Sequence, residues 1–532
     1  MFAASRLSYK ETNSFSKIVL DYLRQENRLF HFYSFSPTIE GIKKAIAEKQ
    51  NQKMDRQVLV QVLKEQYSRV ETNENTAKIL DTLLSNSTFT VCTAHQPNLL
   101  TGPLYFIYKI LHAIKLTRYL KNEFPENNFV PIFYMGCEDA DKDELNHYTV
   151  AGKKYLWKTD QTGAVGRMII DKEILKLVDE LQNQIGIGPF GNELISTIKK
   201  CFKEGDTIQN ATFRFIHSLF ASYGLLVLIP DHADLKKQMI PVFEDDLLNQ
   251  KPSEVVESTC QKLGEHYPVQ AQPREINLFY LKDNIRERIE KKGNKFHVIN
   301  TEIHFSEDEI KIELQKYPER FSPNVILRGL FQESILPNIA FIGGGGELAY
   351  WLQLKDMFKT YAISFPVLIL RNSFLILEQK WQQKIDKLNL DISCLFLPEN
   401  DIMNLVVHKT SGKQISLNGE FENASALYDQ IIKQALDVDP TLSEHATAIK
   451  TKSIKLLKAL EKKMLRSEKR KFSDQRRQVQ QIKSALFPNN VLQERIENFS
   501  GYYANWGKDF IDALYENSPA MDAEFTVLQV NN

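Results

Sequence analysis

The 532-residue sequence predicts an α/β protein: a parallel sheet covered by helices on both faces, with helical insertions and a long α-helical coiled coil. Three observations predict it. Short apolar runs alternate with helix-period segments, two polar helix-favouring stretches interrupt that alternation, and Gly and Pro are absent from Thr441 through Phe487.

The strands come first in the argument. Runs at 88–93 (TFTVCT), 130–135 (VPIFYM), 225–229 (LLVLI), 324–328 (NVILR), 339–342 (IAFI) and 365–370 (FPVLIL) are four to six residues long and rich in β-branched and aromatic side chains. Continuous apolar runs are what strands buried on both faces require, because βαβ crossovers place helices over each side of a parallel sheet. In such sheets ligands sit beyond the carboxyl ends of the strands, so function is sought in the loops that follow these runs. The stretches 171–215 and 234–318 are too long for simple crossovers and read as insertions on a core spanning 1–420. From Leu442 the stripe Ala446, Ile449, Ser453, Leu456, Leu460 and Met464 steps by threes and fours, and Val479, Ile482 and Leu486 resume it. The expectation is one long helix in a coiled coil over 421–487, antiparallel to the segment 424–436. Pro488 ends it, and 488–532 supplies C-terminal helices that return to the core.

Composition excludes several classes of function. Hydrophobic residues form 43% of the chain and charged ones 25%, which a disordered or membrane-embedded chain would not show. Sixty-seven Lys plus Arg balance 67 Asp plus Glu, so no whole-protein field points to nucleic acid. The local exception is 450–483, with 13 Lys or Arg against three Asp or Glu, read as the solvated face of a coiled coil with a polyanion contact as the alternative. Five scattered cysteines without a CxxC pair give neither a disulfide framework nor a firm zinc site. No stretch approaches 18 apolar residues and the N-terminus has no signal-like run, so a cytoplasmic protein that avoids membranes is expected.

Three segments carry candidate chemistry. In TAHQPNLLTGPLYFIYK, Thr101, Gly102 and Pro103 read as a helix start able to receive an anion, with His95, Gln96 and Asn98 facing the same space. In MGCEDADKDELNHY, the carboxylates of Glu138, Asp139, Asp141, Asp143 and Glu144 crowd a strand end and invite a cation, either an ammonium group or Mg²⁺; His147 is a candidate base. In SPNVILRGLFQESILPNIAFIGGGGELAYW, Gly343, Gly344, Gly345 and Gly346 let backbone approach a ligand ahead of a helix beginning near Glu347. Arg328 and Arg371, each placed at a strand end, are candidate anion anchors. The glycine run is neither a Walker A loop nor a dinucleotide fingerprint, since Leu348 stands where GxGxxG needs its third glycine, and HExxH and GxSxG are absent from the sequence.

Together these segments resemble one family, the bacillithiol-synthesis cysteine-adding enzyme BshC. TGPLYFIYK, VPIFYMGCEDADKDELNH, SPNVILRGLFQESILPNIAFIGGGGELAYWLQLK, FPVLILRNS and LQERIENF occur in the family's order, so the likeness spans residues 90–515. It implies a Rossmann-like, nucleotidyltransferase-type core and a coiled coil that pairs two subunits. It also implies a ligase that joins the carboxyl of cysteine to the glucosamine amine of glucosaminyl-malate, the last step of bacillithiol synthesis, with ATP as the expected cosubstrate for activation.

Carried over by position, Glu138, Asp139, Asp141, Glu144, Asn146 and His147 occupy the family's acidic pattern, and Asn324 and Arg328 fall near the glycine run. Ala140 stands where the family has His, and AHQPN replaces its GQQ-G, which makes His95 the compensating imidazole. The resulting expectation has the acidic cluster holding the sugar amine or a cation, helix starts at 102 and 346 binding malate or phosphate, and Asp139 or His147 as general base. A second nucleotide site is expected where Gln493, Glu494, Arg495 and Trp506 return to the core. The competing readings are nucleotidyl transfer from ATP to another acceptor, and a non-catalytic coiled-coil scaffold on a decayed enzyme core.

Overall fold

The computed structural model describes residues 2–72, 74–411 and 416–530. Its strands, in chain order, are β1 (Phe2–Ser8), β2 (Thr88–His95), β3 (Asn128–Met135), β4 (His147–Val150), β5 (Lys153–Leu156), β6 (Leu226–Leu228), β7 (Leu278–Lys282) and β8 (Ile285–Lys292). They continue with β9 (Lys295–Val298), β10 (His304–Ser306), β11 (Phe321–Pro323), β12 (Asn338–Gly343), β13 (Val367–Leu370), β14 (Ser373–Glu378) and β15 (Glu524–Val530).

The expected parallel sheet is present, in the order β13-β12-β2-β3-β6 with every pairing parallel. Chain order runs outward from β2 through β3 to β6, then returns to the other side of β2 for β12 and β13. That reversal is a topological switch point between β2 and β12, where the two neighbouring crossovers leave in opposite directions and open a crevice. Helix Tyr105–Glu123 covers the sheet, burying Phe106, Ile107, Ile110, Leu111 and Ile114 along its apolar stripe.

Five expectations are corrected. The run 324–328 is not a strand: Asn324 accepts from the N–H groups of Ile326 at 2.8 Å and Leu327 at 3.4 Å and starts helix Val325–Ile335. A short apolar run does not distinguish a buried strand from a buried helix, and here the cap decided. Nor do Thr101 to Pro103 start a helix. Leu100, Thr101 and Gly102 all have positive φ (47°, 71° and 59°), and the regular helix begins at Tyr105. Gly102 is required there, since a Cβ would lie 2.8 Å from the Asn98 Cβ.

The insertion at 171–215 is helical, as Lys172–Ile185, Gly191–Cys201 and Ile208–Phe220. The one at 234–318, in contrast, contains helices followed by a five-stranded sheet, β10-β9-β8-β7-β11, whose pairings are all antiparallel. The long helix is broken: Leu442–Lys469 and Ser473–Leu486 are separate, and Leu442–Lys469 packs on Asn418–Val438 as a hairpin arm. Finally, the C-terminal segment holds helix Ser500–Glu516 and then β15, which lies between β1 and β14. No helix among the described residues is long and apolar enough to cross a membrane.

Candidate active-site cleft

A cavity of about 280 Å³ lies at the switch point. Four of the five core strands contribute from their carboxyl ends: Ala94, His95 and Gln96 at the end of β2, Tyr134 and Gly136 at the end of β3, Gly344 to Glu347 after β12, and Arg371 after β13. Tyr105 and Lys109, four residues apart on one face of the covering helix, close a second wall with Tyr350; Arg328, Glu144 and Arg495 complete it.

Its chemistry is cationic and ordered by ion pairs. Lys109 is buried, donates to the carbonyl of Ala94 at 2.7 Å and pairs with Glu347 at 2.5 Å. Glu347 in turn accepts from the Gly344 N–H at 2.7 Å, which fixes the turn of the glycine run. No Cβ would meet anything within 4 Å at Gly346, so this backbone leaves room for a ligand. Arg371 pairs with the fully buried Glu494 at 2.7 Å, and Arg328 donates to Asp139 at 2.6 Å. Burying a guanidinium is tolerable only with such partners.

The proton-transfer candidates separate by environment. Burial, then the neighbouring Lys109 charge, pushes the His95 imidazole well below its ordinary pKa, so His95 is neutral; its Nε2 lies 3.1 Å from the Tyr105 hydroxyl. Burial would raise Asp139, but Arg328 and Arg286 outweigh it and hold its carboxyl below the usual range. Glu144 moves the other way: desolvation first, then the charges of Asp141 and Asp139, raise it. Of the acidic segment, Glu144 alone lines the cleft.

The structure thus brings together His95, Gln96, Glu144, Arg328, Gly344, Gly345, Gly346, Glu347, Arg371 and Arg495, and sets others apart from the cleft lining. Asn98, Thr101 and Gly102 form a buried turn held by Asn498, which donates to the Leu100 carbonyl at 2.9 Å. Glu138 is buried in ion-pair contact with Lys236, whose ammonium also lies 3.7 Å from Asp231; Arg167 grips Asp231 through two bonds of 2.6 and 2.7 Å. Asp139 stands behind Arg328, and Asp141 caps a short turn by accepting from the Glu144 N–H. Asn146 is buried, and the His147 ring pairs with the Asp143 carbonyl at 3.1 Å, where burial lowers its pKa.

Asn324 is spent on its helix cap, and Gly343 closes β12. The acidic cluster therefore dissolves into ion pairs and a cap, and among the described residues no group of three or more His, Cys, Asp or Glu could hold a metal.

The residues expected at a second nucleotide site are not gathered around one cavity. Gln493 accepts from the Ile376 N–H, Glu494 is committed to Arg371, and Trp506 packs against Tyr502, Phe510 and Phe2. Arg495 belongs to the first cleft. Sequence reasoning missed Tyr105, Lys109 and Tyr350; a single lysine inside LYFIYKILHAI was the signal for Lys109.

Residues 2–372 match the family model described as Bacillithiol biosynthesis BshC, N-terminal Rossmann-like domain, and 374–530 match Bacillithiol biosynthesis BshC, C-terminal coiled-coil domain. A protein of Flavobacterium johnsoniae named "Putative cysteine ligase BshC" is 40% identical, over 98% of this chain and 99% of its own. A Christiangramia forsetii protein of the same name is 40% identical over 98% of each chain, and a Bacillus cereus one 27% identical over 96% and 98%.

Proposed function

Because the chain belongs to the BshC family, we propose that it is a ligase that joins the carboxyl of cysteine to the glucosamine amine of glucosaminyl-malate. The observation that carries this reading is the cleft itself: Lys109, Arg328 and Arg371, three cations whose side chains are mostly buried, converge with Glu144, a carboxylate of raised pKa, at the switch point of a Rossmann-like sheet.

The chemistry follows from these residues. A carboxylate and an ammonium do not condense in water, so in this proposal a cysteine carboxyl oxygen first attacks a phosphorus of ATP, forming an acyl phosphate as ADP leaves or an acyl adenylate as pyrophosphate leaves. The glycine turn and the cations suit the phosphoryl or adenylyl leaving group and the malate carboxylates. Glu144 takes one proton from the ammonium; the amine nitrogen then forms the C–N bond as the acyl–oxygen bond to the leaving group breaks, and the second N–H proton goes with the departing phosphate or AMP to solvent. The raised pKa of Glu144 brings it closer to operating pH than Asp139, which two guanidiniums make a poor base. Asp139 and His147 thus give way to Glu144 as the nominated base, and His95, neutral and stacked on Tyr105, orients that hydroxyl.

The arm is proposed to pair two copies. It exposes Leu427 (56%), Leu456 (63%) and Leu460 (48%), apolar area that a second copy would cover.

Glu144→Gln should lower turnover about 10²- to 10⁴-fold in an assay with cysteine, ATP and glucosaminyl-malate. Turnover by the unaltered enzyme should fall as pH drops through the Glu144 titration. Full turnover by Glu144→Gln would remove it as the base, and pyrophosphate release that ignores cysteine would favour nucleotidyl transfer to another acceptor.

A further inference from the structure

We propose that Arg286, on a strand of the inserted antiparallel sheet, is a positioning residue that keeps Arg328 turned toward the cleft by occupying one oxygen of Asp139. The inference deepens the proposed function and rests on it, since it takes Arg328 to meet an anionic group of the substrate.

Arg286 lies on β8, outside the parallel core, yet its side chain is only 7% exposed. It is fixed within its own sheet: Nε donates to the Ser322 hydroxyl at 3.2 Å, and the guanidinium lies 4.0 Å from the centre of the Phe279 ring. From that mount Nη2 reaches Oδ1 of Asp139 at 3.5 Å. The other oxygen, Oδ2, accepts from Nη1 of Arg328 at 2.6 Å, and Arg328 lines the cleft.

A carboxylate facing a single arginine favours a two-bond fork that uses both oxygens. Here the fork is divided between two arginines. Arg328 is therefore held by one nitrogen only, and two guanidiniums on one carboxylate leave a net positive charge at the cleft wall. Without Arg286, the Asp139 carboxylate keeps only Arg328 and the Gln96 side chain as partners among the described residues, so Arg328 would be drawn back and neutralised. The inserted sheet thereby sets the anion affinity of a cleft it does not line.

The test is calorimetric binding of glucosaminyl-malate to the full-length protein, with melting curves alongside. Arg286→Gln should weaken binding about tenfold, the scale of one charged hydrogen bond, and Arg286→Lys should restore most of it. In an Asp139→Asn background, where no carboxylate competes for Arg328, Arg286→Gln should have no further effect. Unchanged binding by Arg286→Gln, or an equal loss in the Asp139→Asn background, would overturn the proposal. So would a loss of affinity in Arg286→Lys as large as that in Arg286→Gln, since the lysine keeps the positive charge beside Asp139. Should Arg328→Ala bind as well as the unaltered protein, or the unaltered protein not bind at all, the fault lies in the reading of the cleft, and the proposal falls with it.

Discussion

The cleft and the helical arm treat charge in opposite ways. At the cleft each buried cation is matched to a carboxylate, Lys109 to Glu347 and Arg371 to Glu494, with Arg328 on Asp139 beside them. On the arm and the helix after it, 13 cations stand within 34 residues against three acidic ones, and in the two arm helices only Ala446 is buried among the described residues. The largest surplus of one sign of charge in the sequence lies on these exposed helices, while the cations that shape the site are few. Burial, not density, locates function, because a cation removed from water keeps its charge only where a partner and a purpose are built around it.

Breaking a pair on each side sharpens the contrast. Glu494→Gln should cost about 3–5 kcal/mol, seen as a lowered melting temperature, because Arg371 would remain buried without its counter-charge. Asp246 shows a buried carboxylate with no cation paired to it among the described residues: it is fully buried, accepts from the backbone and side-chain N–H groups of Asn277, and burial pushes its pKa up to about 7. Its folded value lies above the unfolded one, so its contribution to stability is complete below about 4 and is lost as pH rises through about 7. Melting temperature should fall across that window, and Asp246→Asn should flatten the fall.

On the arm the effects shrink. Leu456→Lys with Leu460→Lys should change monomer stability by about 0.5 kcal/mol or less, yet halve the particle mass in light scattering if the arm pairs two copies. Equal mass for both proteins would remove the arm as the dimer contact. Least of all, Lys450→Ala breaks an exposed pair with Asp429 and should cost about 0.2–1 kcal/mol in chemical denaturation.

How much was legible follows the same division. Five of the six apolar runs became strands of the parallel sheet, since burial on both faces leaves a continuous signature. The sixth, 324–328, carries the same signature as a buried helix, and only the Asn324 cap told them apart. The acidic loop after β3 was located correctly, but its carboxylates look alike in a string of letters. Glu138 meets Lys236, Asp139 meets Arg286, and Glu144 faces the cleft; their partners lie roughly 100 to 190 residues away, and no local pattern announces them.

The sequence by itself determined the parallel α/β core, the family resemblance and the loops in which a site had to lie, because hydrophobic period and chain order are local properties. The tertiary structure alone decided which charges are spent holding the molecule together and which remain for a ligand. That choice depends on distance and dielectric between segments remote in the chain, quantities that exist only once the chain has folded.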